Sequence, residues 1–433
     1  MLRTIGSFLF MCSVLNVNAQ SNHIDAIRHD APELAQFGQH DIGVRTLTLT
    51  NRNVPDVLNT TSGDETARYD RKLVVEVWYP AQLEEGQQPG GAYEVMSRNP
   101  EIIAILHGTA VRDAAALPAD PGYPLVVLSH GYPGNRYLMS HLGENLASKG
   151  YIVVSIDHKD STYDDMQAFA STLYHRPVDQ RFVIDEIAAM ATNPKSFLVG
   201  VVDANNTAVV GYSMGGYGLV NNMGGGFSDT AANSPHGPPN GLLIPHSASS
   251  PEYPSRLDAR IKAGVAVAPW GMTHEVWLPE DLHNIKTPTL YVAGDLDKAA
   301  GYGKGTRAIY ENAVNSDRYL LTFVNAGHNA AAPMPVPQEI LNSKSKASAG
   351  HYLDPVWDAL RMNNILAHFV TAFLDLSLKG DASKHDYLDL IPDATNGVIS
   401  LDPNKQPTAL HTYWKGFPMD TAVGLKFEHL APE

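Results

Sequence analysis

The 433-residue chain is 44% apolar with a net charge of −15, enough length and hydrophobicity to bury a large core. The negative balance works against nucleic acid and anionic membrane surfaces, which draw their affinity from Lys and Arg. Cys12 is the only cysteine, which leaves no place for a disulfide framework or a cysteine-built metal site.

Residues 1–19 read as an export signal. Arg3 supplies the positive start, residues 5–15 a short apolar run, and Val17, Asn18 and Ala19 an A-x-A-like cleavage site. The run is too short to span a bilayer, so the expectation is a secreted or periplasmic protein without stable membrane insertion. Cys12 would leave with the signal. A polar leader follows to about residue 42, then strand patterns at 44–50 and 72–79 flank a turn-rich stretch at 51–69. Residues 93–117 show no clear period and read as helical, as an insertion.

From Pro124 a regular alternation sets in, with strands at 125–129, 151–156 and 208–211 and helices at 138–148 and 179–190. Short apolar strands alternating with helices imply an α/β protein with a mostly parallel sheet covered on both faces. Residues 224–254 break the pattern with Gly, Pro, Ser and Asn, and read as a mobile cap insertion. Strands resume at 264–268, 289–293 and 319–324, and an amphipathic helix over 356–378 stops at Lys379 and Gly380. Residues 381–433 form an extension whose place in the fold the pattern does not indicate.

The chemistry sits at strand ends. Gly211, Tyr212, Ser213, Met214 and Gly215 fill G-x-S-x-G directly after an apolar strand, the layout of a nucleophile on a sharp turn. A serine hydroxyl needs a general base, and the base an orienting partner. Two later strands run into fitting residues: Asp295 and Asp297 after one, His328 after the other. Alone, His328 would be an ordinary loop histidine and either aspartate a solvated turn residue. Together they give the order Ser, Asp, His on edges that converge in one crevice. A Gly-x-x-Asp spacing gives Asp297 the reach to the ring, while Asp295 suits a loop cap. The oxyanion hole falls to the amides of Met214 and Tyr132, the latter following His130 and Gly131, with His130 read as a holder of that loop. Trp270, in Ala268-Pro269-Trp270-Gly271, reads as a substrate-pocket wall. His158 and Asp160 read as structural, and Arg176, Asp179, Arg181 and Asp185 as ion pairs at helical spacing that hold the helix to neighbouring loops. The acidic stretch 386–393 lacks EF-hand spacing and reads as a solvated turn.

Several segments carry a resemblance: 75–81, 128–131, 146–160, the elbow, Gly294 to Asp297, and Ala326, Gly327 and His328. The chain resembles the α/β-hydrolase superfamily, and within it the platelet-activating-factor acetylhydrolase-like and predicted dienelactone hydrolase branch, over roughly residues 44–380. The resemblance also points to Asp297 as the triad acid. True dienelactone hydrolases use a cysteine where this chain has Ser213, so that activity does not carry over. The expectation is a serine esterase that takes a small-molecule ester and needs no cofactor or metal. An amidase or peptidase with the same triad, or a binding protein that has lost catalysis, are the rivals.

Overall fold

The computed structural model describes residues 22–433; the expected export signal and Cys12 lie outside the described residues. An 11-stranded sheet forms the centre. Its long strands are β1 (Asp41–Pro55), β2 (Arg68–Gln82), β3 (Tyr123–Ser129), β4 (Ile152–Asp157), β5 (Val202–Tyr212), β6 (Ile261–Val267), β7 (Thr289–Gly294), β8 (Arg318–Phe323) and β9 (Leu425–Leu430). Across the sheet they run β9-β8-β7-β6-β5-β3-β4-β2-β1. From β4 to β8 every neighbouring pair is parallel, and antiparallel strands finish both sides. Val126, Val127, Val209, Val210, Val265 and Val292 are fully buried, as strands covered on both faces must be.

The covering helices are α1 (Ser140–Ser148), α2 (Phe169–Thr192), α3 (Met214–Met223), α4 (Arg307–Asn312) and α5 (Ala359–Lys379). Helix α2 begins well before its sequence-predicted start and runs through Pro177. A proline there has no N–H for the carbonyl of Leu173. The Tyr217 hydroxyl of α3 donates to that carbonyl instead, at 2.7 Å, so the helix continues without an orphaned acceptor. Helix α5 starts where Asp358 accepts from the Arg361 amide at 2.8 Å and stops at Gly380, whose φ of 66° is the left-handed turn glycine adopts freely.

Two expectations change, and the unplaced extension finds its position. Residues 93–117 are not helical: Gly91–Met96 and Ile103–Gly108 pair as antiparallel strands, with Tyr93 and Val95 buried at period two. The turn at Asn99 and Pro100 splits the run into pieces too short for the alternation to stand out. Residues 224–254, expected to lack rigid elements, hold a short helix, Asp229–Ala232, and three 3₁₀ turns. Phe227, Leu243, His246 and Tyr253 are buried anchors, and the Tyr253 hydroxyl donates to the Asn221 carbonyl of α3 at 2.8 Å. The extension 381–433 completes the sheet: β9 lies antiparallel to β8, and Trp414, Phe417 and Phe427 pack around Phe369 of α5.

Candidate active site

Strands β3, β5, β6, β7 and β8 end on the same sheet edge, and the loops beyond them carry the residues singled out above. Ser213 sits at φ 53°, ψ −111°, between β5 and α3. That conformation costs an L-residue on the order of 1–3 kcal/mol and persists only where the surroundings impose it. Here its amide donates to Val267 O at 2.9 Å, and its carbonyl accepts from Tyr217 N at 2.9 Å and Trp270 N at 3.1 Å. The flanking glycines make room. A Cβ on Gly215 would lie 1.9 Å from Ser129 O, and one on Gly211 would lie 2.3 Å from the Gly215 backbone. Neither position can take a side chain while strand and helix stay this close.

His328 Nε2 lies 3.0 Å from Ser213 Oγ, and its Nδ1 lies 2.9 Å from Asp297 Oδ2. The other Asp297 oxygen accepts from the amides of Ala299 and Ala300 at 2.8 and 3.0 Å. Burial pushes this carboxyl up, but the His328 bond and charge and the two amides outweigh it and hold it below the usual carboxylate range. Asp295 points elsewhere, accepting from Asn325 N at 2.6 Å at the start of the β8 loop. The Asp297 side chain is fully buried, whereas that of His328 keeps 23% of its surface in solvent. A solvent-facing imidazole bonded to a serine on a strained turn, with a locked carboxylate behind it, has the geometry to pass a proton from the serine to a leaving group.

Sequence reasoning missed the supports of this loop. Asp354 Oδ2 accepts from Gly327 N at 2.7 Å, one residue before His328. Asn329 donates to Gly350 O and Leu353 O at 2.8 and 2.7 Å and accepts from the Tyr212 hydroxyl at 3.0 Å. Partners this remote in the chain leave no local motif.

Met214 opens α3 directly after Ser213, and Tyr132 follows Gly131 in the loop after β3. Gly131 passes so close that a Cβ there would lie 3.3 Å from Ser213 Cβ. Trp270 is part of an aromatic wall: His274 stacks on it at 4.5 Å, and Phe169 meets it edge-on at 5.1 Å while meeting Tyr132 at 5.2 Å. Phe169 and His274 gave no sequence signal. A cavity of about 750 Å³ lies elsewhere, lined by Ile399, Leu401, Trp414 and Met419 among others, and includes none of these residues.

The charged residues of α2 hold the helix to its neighbours, as expected, and among the described residues they do not pair with one another. Asp179 takes a two-pronged bond from Arg71, both at 2.9 Å, and Asp185 pairs with Arg260. Arg181 donates to the Arg256 carbonyl, and Arg176 to the carbonyls of His130 and Gly131. These contacts tie the helix to a strand and to loops remote from it in the chain. Asp160 joins Arg71 at 2.8 Å and His158 joins Asp179 at 3.0 Å, all buried. In the acidic stretch, Asp386 pairs with Lys415 at 2.6 Å.

Comparison with known proteins agrees with this architecture. A family model described as "PETase: PET hydrolase-like" matches residues 118–237, the stretch from β3 through the elbow. Cutinase est1 of Thermobifida alba is 27% identical over 209 residues, 48% of this chain and 54% of that protein. Cutinase 2 of Thermobifida cellulosilytica is 24% identical over 233 residues, 54% of this chain and 69% of that protein. The chain thus spans about half the length of the first of these relatives and about two thirds of the second. Among solved structures, a ferulic acid esterase from Streptomyces cinnamoneus superposes with a TM-score of 0.56 at 20% identity, covering 94% of this chain and 99% of that one. The sheet order, the elbow and these likenesses place the chain in the α/β-hydrolase superfamily.

Proposed function

We propose that the protein is a serine hydrolase of carboxylic esters working through an acyl-enzyme. The observation that carries the reading is the unbroken chain from Ser213 Oγ through His328 to the buried Asp297 carboxylate. His328 Nε2 takes the Ser213 proton as Oγ attacks the ester carbonyl, and the resulting oxyanion rests on the amides of Met214 and Tyr132. Collapse breaks the bond to the alcohol, which leaves with the proton from His328. Water, deprotonated by the same imidazole, then attacks the acyl-enzyme, and Ser213 recovers its proton as the acid departs. Asp297 keeps the ring in the tautomer that presents a bare Nε2 to the serine. No step calls for a metal or cofactor. The aromatic wall of Tyr132, Phe169, Trp270 and His274 offers a flat apolar face to the acyl or alcohol group. The 224–254 insertion would act on this wall indirectly, since Ser228 bonds Glu275 O and Val276 O, both at 2.7 Å, in the loop that carries His274.

Cutinases and a ferulic acid esterase among the similar proteins favour esters over amides as substrates. The charged start, apolar run and A-x-A-like site of residues 1–19 support export. A panel of p-nitrophenyl esters of rising acyl length beside the matching p-nitroanilides tests the reading. Ester turnover with anilides slower by orders of magnitude is expected. Anilide turnover at equal or greater rate would turn the assignment to an amidase, and no turnover of either would favour a binding protein.

A further inference from the structure

The hydrolase reading needs two amides aimed at one point, and the structure treats their two peptide units alike. In a planar trans peptide the carbonyl and the N–H point in opposite directions, so whatever grips the carbonyl from behind aims the N–H forward. The peptide that ends in Met214 N–H has its carbonyl, Ser213 O, held by the amides of Tyr217 and Trp270. The peptide that ends in Tyr132 N–H has its carbonyl, Gly131 O, held by His130 Nδ1 at 2.7 Å and Arg176 Nη2 at 3.3 Å. The His130 tautomer is determined by its other nitrogen: Nε2 accepts from the His158 amide at 3.2 Å, so the proton is on Nδ1. Gly131 O is therefore clamped by two donors, as Ser213 O is.

Arg176 differs from the other three holders in carrying a full charge. It is 1% exposed, donates also to His130 O and to Ser161 Oγ at 2.7 Å, and makes no ion pair among the described residues. A buried guanidinium with only neutral acceptors is costly to keep. A neutral donor would serve if the loop needed only to be tied down. The cost has an offset if an anion forms nearby during turnover, because a positive charge polarises the peptide between it and that anion and strengthens the N–H as a donor.

We propose that Arg176 is a positioning residue for the oxyanion hole, acting through the Gly131 carbonyl to aim and polarise the Tyr132 amide. This rests on the serine-hydrolase reading. The acyl oxygen touches Tyr132 N–H; Arg176 stands one peptide behind it and touches neither substrate nor Ser213.

The test compares Arg176→Met and Arg176→Lys with the parent, measuring kcat and KM on p-nitrophenyl butyrate and the inhibition constant of an alkyl trifluoromethyl ketone. The ketone adds Ser213 Oγ across its carbonyl, sends the serine proton to His328 and leaves an oxyanion in the hole. Removing one oxyanion donor costs about 10²–10³-fold in kcat in serine hydrolases, so Arg176→Met should lose on that order with KM within about threefold. The ketone should weaken by a similar factor, and Arg176→Lys, which keeps the charge, should recover to within about tenfold of the parent. A folded Arg176→Met with kcat near the parent's overturns the proposal. So does a fall in kcat with ketone affinity unmoved, which a purely structural role would give. Should Arg176→Met fail to fold, Arg176→Gln, which keeps a donor and loses the charge, decides: kcat and ketone affinity falling together support the proposal, and either one unchanged overturns it. A parent that neither turns over esters nor binds the ketone removes the hydrolase reading and this proposal with it. A working parent with indifferent variants removes this proposal alone.

Discussion

The molecule holds Ser–His–Asp chains of nearly equal geometry in two places. In one, Ser213 Oγ, His328 and Asp297 are linked at 3.0 and 2.9 Å. In the other, Ser129 Oγ lies 2.8 Å from His158 Nε2, and His158 Nδ1 lies 3.0 Å from Asp179. Distances do not separate them; surroundings do. Ser129 Oγ is already engaged by Gln180 Nε2 at 2.9 Å, and both Asp179 oxygens are taken by Arg71. The His158 side chain is 1% exposed, and burial pushes its pKa down to about 3, so it cannot hold a proton at neutral pH. His328 meets solvent, and its serine stands on the strained turn between β5 and α3. Under the hydrolase reading, access to solvent is what sets the Ser213 chain apart from the buried one. The buried copy instead ties β3, the β4 loop and α2 together beneath the elbow, with Gln180 also donating to Gly215 O at 2.9 Å.

The contrast predicts opposite phenotypes for matched substitutions. Asp297→Asn should cost about 10⁴-fold in kcat with little change in unfolding midpoint, since it presents the wrong histidine tautomer to Ser213. Asp295→Asn, which loses only a loop cap, should retain measurable turnover. Steady-state kinetics on a fast ester decides; the reverse order of severity would move the orienting role to Asp295.

Asp179→Asn should instead act on stability. Burial works against the Asp179 carboxylate, but Arg71 and the His158 bond outweigh it and hold its pKa well below the usual range. Removing one partner of such a buried pair costs about 3–5 kcal/mol, because the other charge is left without its match. Urea denaturation should show that loss, with turnover per folded molecule within about fivefold of the parent. A stable but inactive variant would mean that the buried chain takes part in chemistry.

Acid should find the same weakness. Below its ordinary value of about 6.5 the unfolded chain takes up a proton at His158 that the folded chain refuses until about 3. Stability is therefore whole above about 6.5 and declines as pH falls through that window. Asp179, depressed in the fold, contributes in the same direction further down, its share being lost as pH drops below the unfolded carboxylate value. His158→Gln should reduce the slope of stability against pH by up to about 1.4 kcal/mol per pH unit between those limits. An unchanged slope would show that His158 is not held neutral.

How far the sequence reveals all this depends on how local each cause is. The residues that meet at the site were legible because each follows an apolar strand by one to five residues, and parallel strands bring such ends to one edge. The buried chain was hidden although its residues were noticed: Ser129, His158 and Asp179 have no common spacing, and Arg71 looks like one more charge in a strand. Asp354 and Asn329 escaped for the same reason, their partners lying in other loops. Gly91–Met96 and Ile103–Gly108 were misread because six-residue strands broken by Asn99 and Pro100 carry too few periods. Strand β9 could not be placed because its pairing with β8 is a tertiary fact with no turn between them.

Labelling with a fluorophosphonate, followed by peptide mapping of the parent, Ser213→Ala and Ser129→Ala, tests the central distinction most directly. The account predicts one adduct on Ser213 in the parent and in Ser129→Ala, and none in Ser213→Ala. An adduct on Ser129, or a folded parent that takes up no probe, would contradict it.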